Sequence, residues 1–290
     1  MNKSIDVYGY ASGNGAADPR CCMGPITMEG SPTMKNVSEL HWKTHILPTT
    51  AAAQLEAIDG IEKACYKLAQ HTFNSCKNQR QFTVIGGDHS VAIGTWSGVA
   101  SAQGGPIGML WIDAHLDSHT PTSSISKNLH GMPLAALLGQ GDERLTNLLT
   151  SGPKLDPQQV VILGARDFEP AEWALCKDMG VTIITMETIM TRGFAACFED
   201  ALAHVMKNPH GFGISIDIDG LDPQDAPGTA ILTEPGIRSK DLQDALTQHI
   251  ATHPQFLGLE IAEFFPDLDE NGKTERVIAQ LIQAAFALQS

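Results

Sequence analysis

Short apolar runs alternate with longer amphipathic stretches from one end of the chain to the other. The runs Ile5–Tyr10, Phe82–Gly86, Ile107–Asp113, Val160–Gly164, Val181–Thr185, Gly213–Asp219 and Phe256–Ile261 are short and nearly continuous in apolar character. Both features predict strands buried on two faces. The stretches between them predict helices over Thr50–Cys76, Ser90–Ala102, Asp142–Leu149, Pro170–Asp178, Phe194–Lys207, Ser239–Thr252 and Thr274–Ala287. Strands alternating with helices imply an α/β fold with a central, mainly parallel sheet between two helical layers. No fixed-period repeat, charge run or low-complexity linker interrupts the pattern, so a single three-layer α/β/α domain over residues 1–290 is the simplest partition.

In sheets of this kind the ligand site lies beyond the carboxyl ends of the strands. Polar chemistry is therefore expected where the apolar runs stop. After Val84-Ile85, a Gly86-Gly87 turn delivers Asp88 and His89; alone, a histidine there is more often a satisfied polar residue than a ligand. The run GMLWIDAHLDSHT places Asp113, His115 and Asp117 at every second position, which in extended chain puts all three on one face. Such a cluster at the end of a buried strand is costly unless a cation sits among it. A polar loop with accidental alternation is the plainer alternative. The run GISIDIDGLDP repeats the arrangement with Asp217 and Asp219, whose like charges would push their pKa values up unless neutralised.

The full set is His89, Asp113, His115, Asp117, Asp217 and Asp219: carboxylates and imidazoles with no thiolate. Four negative charges balance two divalent cations. An oxygen-rich, mixed N/O set favours two manganese ions over structural zinc, with zinc, iron or cobalt left open. Paired metals generate hydroxide at neutral pH and orient it for attack.

Composition narrows the partners. With 42% hydrophobic residues the chain can bury a sizeable core, and no apolar stretch is long enough to span a bilayer. The 33 acidic against 19 basic residues give a net charge of −14, which argues against nucleic acid or an anionic membrane as partner. Six cysteines without a CxxC pair, and an N-terminus without an apolar signal core, point to reduced thiols in a cytoplasmic protein; the adjacent Cys21-Cys22 has no evident role. The Gly13-Asn14-Gly15 turn lacks the third glycine of a dinucleotide fingerprint and is read as a turn.

GGDHS, DAHLD and SIDIDGLDP together resemble the metal-binding signatures of the ureohydrolases, the arginase–agmatinase family, over roughly Phe82 to Glu263. That resemblance implies a single α/β domain. It also implies that Asp113 and Asp217 bridge two metals, with His89 and Asp117 completing one ion and His115 and Asp219 the other. A bridging hydroxide would attack a guanidinium carbon, giving urea and an amine. The segment SHTPTSSISKNLHG resembles the arginase loop, which implies that Ser126 and Asn128 hold a substrate carboxylate, with His119 and Ser124 in neighbouring positions. By the same match His130 is the proton-transfer residue, Glu169 and Glu172 lie near the substrate amino group, and Glu263 pairs with the guanidinium. Family members commonly form trimers or hexamers, so a homo-oligomer is expected.

Plainer readings stand beside these roles. His130 fits a loop histidine, and Glu169 and Glu172 fit a solvated first turn of a helix. Glu263 follows an apolar strand, where an unpaired buried acid is expensive, so a site role is favoured. The chain also departs from the family pattern. It has Ala230, Ile231 and Leu232 where small and polar residues are expected, His119 where arginases commonly carry Asn, and Glu169 where they commonly carry Asp. The reading is therefore hydrolysis of a guanidino substrate, foremost L-arginine to L-ornithine and urea. The alternatives are an agmatinase, a guanidino-acid hydrolase or a formimidoylglutamase-like enzyme, and, further off, a metal-binding homologue without turnover.

Overall fold

The computed structural model describes residues 4–48 and 52–288. Eight strands form one sheet: β1 (Ile5–Tyr10), β2 (Leu40–Ile46), β3 (Gln81–Gly86), β4 (Ile107–Ile112), β5 (Leu155–Ala165), β6 (Thr182–Thr185), β7 (Phe212–Asp217) and β8 (Phe256–Ala262). Their order is β2-β1-β3-β8-β7-β4-β5-β6, and every pairing is parallel.

Alternate side chains along each strand enter different cores, because successive residues of a strand point to opposite faces. Val7, Ile85, Leu110, Ile112, Val161 and Ile216 pack into one core with helices Phe194–Val205 and Lys273–Phe286. Tyr8, Val84, Met109, Trp111 and Ile162 pack into the other with helices Ile58–Lys77 and Val91–Gln103. Two buried faces explain why the strands read as continuous apolar runs rather than as alternating ones.

The seven expected strands are present, and β2 is an eighth. Its sequence LHWKTHI carries no apolar run because it is an edge strand with exposed and half-buried positions. The helix expected from Thr50 opens instead with a 3-10 turn, Gln54–Ala57, and becomes α-helical at Ile58; Thr50 lies outside the described residues. The helix expected over Asp142–Leu149 is only Glu143–Thr146, and the one expected over Ser239–Thr252 is Ser239–Ala245 followed by a wide turn over Leu246–Ile250.

Sequence order and spatial order diverge at the centre of the sheet. β7 and β8 insert between β3 and β4, so β3, β8, β7 and β4 lie side by side. The polar motifs lie at the carboxyl ends of these four strands. No helix of the described residues is long and apolar enough to cross a membrane.

Candidate active site

Each central strand hands over its polar residues through a tight turn. After β3, the Gly87 N–H bonds to the Tyr10 carbonyl and the Asp88 N–H to the Ser12 carbonyl. A Cβ on Gly87 would stand 2.0 Å from the Ser12 carbonyl oxygen, so only glycine fits there. β4 stops at Ile112, and the chain is then no longer extended: Asp117 has φ +47°. β7 stops at Asp217, and Asp219 lies in a 3-10 turn capped by Asp217, whose Oδ1 accepts the Asp219 N–H at 2.9 Å. Strand alternation therefore does not place either motif's side chains on one face. Turns, not strand periodicity, make these side chains converge.

They converge into two groups. One ligand atom from each of His89, Asp113, Asp117 and Asp217 lies within 4.8 Å of the others, as does one from each of Asp113, His115 and Asp219. Asp113 belongs to both groups and Asp217 to the first. The Asp113 Oδ2 lies 3.4 Å from His89 Nδ1, and its Oδ1 lies 3.4 Å from His115 Nδ1. Backbone and indole donors steady this carboxylate: the His115 N–H bonds to Oδ1 at 2.7 Å and Trp111 Nε1 to Oδ2 at 2.8 Å.

The donors suit a cation. His89 Nδ1 is 2.9 Å from Asp117 Oδ2 and 3.1 Å from Asp217 Oδ2, yet neither Nδ1 nor Asp117 Oδ2 makes a hydrogen bond although both atoms are buried. Buried polar atoms without partners are rare in native proteins and imply an ion or water between them. Electrostatics agree. Burial and the neighbouring Asp113 push the Asp117 carboxyl up to about 7. Burial, Asp219 and Asp113 also raise Asp217 well above the usual range. Divalent charge would remove that penalty. His89 is held from behind, stacked on Trp111 with ring centroids 4.4 Å apart and hydrogen-bonded through Nε2 to Ser215 Oγ at 2.9 Å.

A cavity of about 390 Å3 opens over the cluster, and His115, Asp117, Asp217 and Asp219 are part of its wall. His130 and Glu263, which come from different loops, meet there through Nδ1 and Oε1 at 3.0 Å. Glu263 has φ +62°, a conformation that a non-glycine residue adopts at a cost and that is common at functional sites. Its Oε1 also accepts the His89 N–H at 2.9 Å. Burial disfavours charge on His130, but the Glu263 carboxylate outweighs it and holds the imidazole at about 9.

The wall further out holds His119, Ser126, Asn128, Glu169 and Glu172. His119 Nε2 lies 3.5 Å from a carboxylate oxygen of each glutamate. The plainer reading holds only in part: Glu169 caps helix Pro170–Met179 and its N–H bonds to Glu172 Oε2 at 3.0 Å, but Glu172 is buried and the turn is not solvated there. Ser124 does not line the cavity: its hydroxyl accepts the Lys127 N–H at 2.9 Å and shapes the loop. The exposed Phe168, Ala230 and Ile231 give the cavity an apolar rim and the buried Phe265 also lines it, whereas Leu232 is not among the lining residues.

Sequence reading missed two supports. Asp88 is fully buried; it accepts the Gly15 N–H at 3.0 Å, and burial and Glu263 push its carboxyl up to about 6. The Gly13-Asn14-Gly15 turn thus packs onto Asp88, and a Cβ on Gly15 would stand 2.4 Å from Asp88 Oδ1. Arg166 donates from its terminal nitrogens to the carbonyls of Gly164 at 3.0 Å and Asp219 at 2.6 Å, and from Nε to Thr233 at 2.9 Å. It ties the β5 end to the loop bearing Asp219. Nothing in local sequence distinguishes it from a surface arginine.

The model of the Arginase family matches residues 3–287. The arginase of Brevibacillus brevis is 35% identical over 99% of this chain and 98% of its own. That of Bacillus caldovelox is 32% identical over 98% of each. The crystal structure of arginase from Bacillus subtilis superposes with a TM-score of 0.91 at 31% identity, covering 99% of both chains.

Proposed function

Since the chain belongs to the arginase family, we propose that it hydrolyses L-arginine to L-ornithine and urea with two manganese ions held by the His/Asp cluster. The observation that carries this reading is Asp113, shared between two adjacent donor groups beneath a cavity that also presents Glu263 and His130. Two divalent ions held by His89, Asp113, Asp117 and Asp217 and by Asp113, His115 and Asp219 would lower the pKa of a water and so supply the nucleophile.

The chain's own residues do the rest. Glu263 offers its carboxylate to the guanidinium, positioning the carbon to be attacked. Cleaving the bond between that carbon and the side-chain nitrogen leaves an amine, which needs a proton. His130 holds one at neutral pH. Its Nδ1 is bonded to Glu263, so Nε2 is the nitrogen that delivers it. Glu169 and Glu172 face the substrate ammonium, while Ser126 and Asn128 give neutral donors for its carboxylate. Among the described residues the cavity wall has no lysine or arginine, so the carboxylate is recognised there by hydrogen bonds and not by a countercharge. Resemblance extends the reading to a cytoplasmic homo-oligomer, a trimer or hexamer, which sedimentation of the purified chain would size.

The apolar Ala230 and Ile231 on the rim favour testing other guanidino and amidino compounds beside arginine. A panel of L-arginine, agmatine, guanidino acids and formiminoglutamate, assayed for urea and formamide, separates the readings. Urea from L-arginine at the highest kcat/KM is expected. Formamide, or urea from another compound alone, would replace this substrate assignment.

A further inference from the structure

One buried acid at the centre of the sheet has no part in the chemistry above. Glu260 lies on β8, is fully buried, and is not a member of either donor group. Ser215 is its register partner on β7. The Ser215 hydroxyl donates to Glu260 Oε1 at 2.9 Å, and the same Oγ lies 2.9 Å from His89 Nε2. We infer that Glu260 is a positioning residue for the metal centre, fixing through Ser215 which nitrogen of His89 carries the proton. The inference rests on the metal-centre reading.

Counting donors places the proton. As a carboxylate, the form that the facing His89, Thr95, Ser215 and Trp96 favour against the cost of burial, Glu260 only accepts, so the single hydroxyl hydrogen of Ser215 is committed to it. The Ser215 oxygen can then only accept from the imidazole, so the proton of neutral His89 sits on Nε2. Nδ1 is left bare, and it is the atom that faces Asp113, Asp117 and Asp217 without a hydrogen bond. Reversing the chain would place the proton on Nδ1 and block the ligand position.

Packing alone does not account for a charge here. An apolar residue or a glutamine would fill the same volume without the desolvation cost of taking a carboxylate out of water. Thr95 and Trp96 also face the Glu260 carboxyl, but its Oε2 is buried without a well-formed hydrogen bond. What the acid does satisfy is the hydroxyl that orients His89, and outer partners of this kind commonly change metal affinity by about 10- to 100-fold when removed. Ring stacking on Trp111 leaves the imidazole little freedom to escape the constraint.

The test is calorimetric titration of the metal-free chain with manganese, for wild type, Glu260→Gln, Ser215→Ala and the double variant, together with metal-free melting temperatures. Glutamine can donate to Ser215 and reverse the chain, so one of the two binding constants should weaken about 10- to 100-fold. The double variant should bind no more weakly than Ser215→Ala, because that change already cuts the link. Metal-free melting temperatures should not track the loss of affinity. Wild-type affinities in Glu260→Gln, or losses that add in the double variant, overturn the inference. If Glu260→Gln does not fold, unchanged affinity in Ser215→Ala overturns it equally. A wild-type chain that binds no divalent ion overturns the metal-centre reading itself, and this inference with it.

Discussion

His130 and Glu263 stand 133 residues apart in sequence and are joined through Nδ1 and Oε1 at 3.0 Å. The pairing orients the imidazole and leaves Nε2 as its free nitrogen. Replacing His130 with Asn should lower kcat by about 10²- to 10⁴-fold, the usual contribution of a proton-transfer group. Manganese content should stay at the wild-type level. Metal analysis beside steady-state kinetics checks both, and a variant that loses metal as well as turnover would assign His130 a different role.

The same pair gives the metal-free chain a pH dependence. The imidazole holds its proton up to about pH 9 when folded, against about 6.5 in an unfolded chain. Its contribution to stability is therefore complete below about pH 6.5 and disappears as pH rises through about 9. Urea unfolding of the chelator-treated chain between pH 6 and 10 should show this decline, and His130→Asn should make it shallower; His89 and His115, whose imidazoles neighbouring carboxylates also raise, keep the remainder.

Asp217 should trade stability for function. Burial and its acidic neighbours Asp219 and Asp113 hold its carboxyl well above the usual range, so its charge is a burden without a cation. Asp217→Asn should raise the melting temperature of the metal-free chain by a few degrees. It should also abolish most of the stabilisation that added manganese gives the wild type. Scanning calorimetry with and without metal measures both. A lower metal-free midpoint would contradict the electrostatic account.

His119 sits 3.5 Å from a carboxylate oxygen of both Glu169 and Glu172, where under the proposed function it would compete with a substrate ammonium for the two acids. His119→Asn should lower KM for L-arginine by about 5- to 10-fold, the worth of one polar contact, and leave kcat near wild type. A fall in kcat instead would place His119 nearer the chemistry.

Much of this site was legible because chemistry and fold period coincide at strand ends. Asp113, His115, Asp117, Asp217 and Asp219 follow apolar runs that could only be buried strands, and His89 follows a Gly-Gly turn. Alternation in extended chain does not bring them together; local turns do. β2 was illegible because an edge strand carries too few buried positions to show an apolar run. Glu260 and Ser215 read as ordinary strand residues; only the register of β7 against β8 and the reach of His89 reveal their connection. Asp88 and Arg166 act through distant backbone groups, which local sequence does not encode.

The most direct test of the account is urea release from L-arginine as manganese is added back to the chelator-stripped chain. The account predicts no turnover without metal and a rate that climbs to a plateau as the second equivalent of ion is bound. Urea produced at an undiminished rate by the stripped chain, or none from a chain carrying two ions, would contradict it.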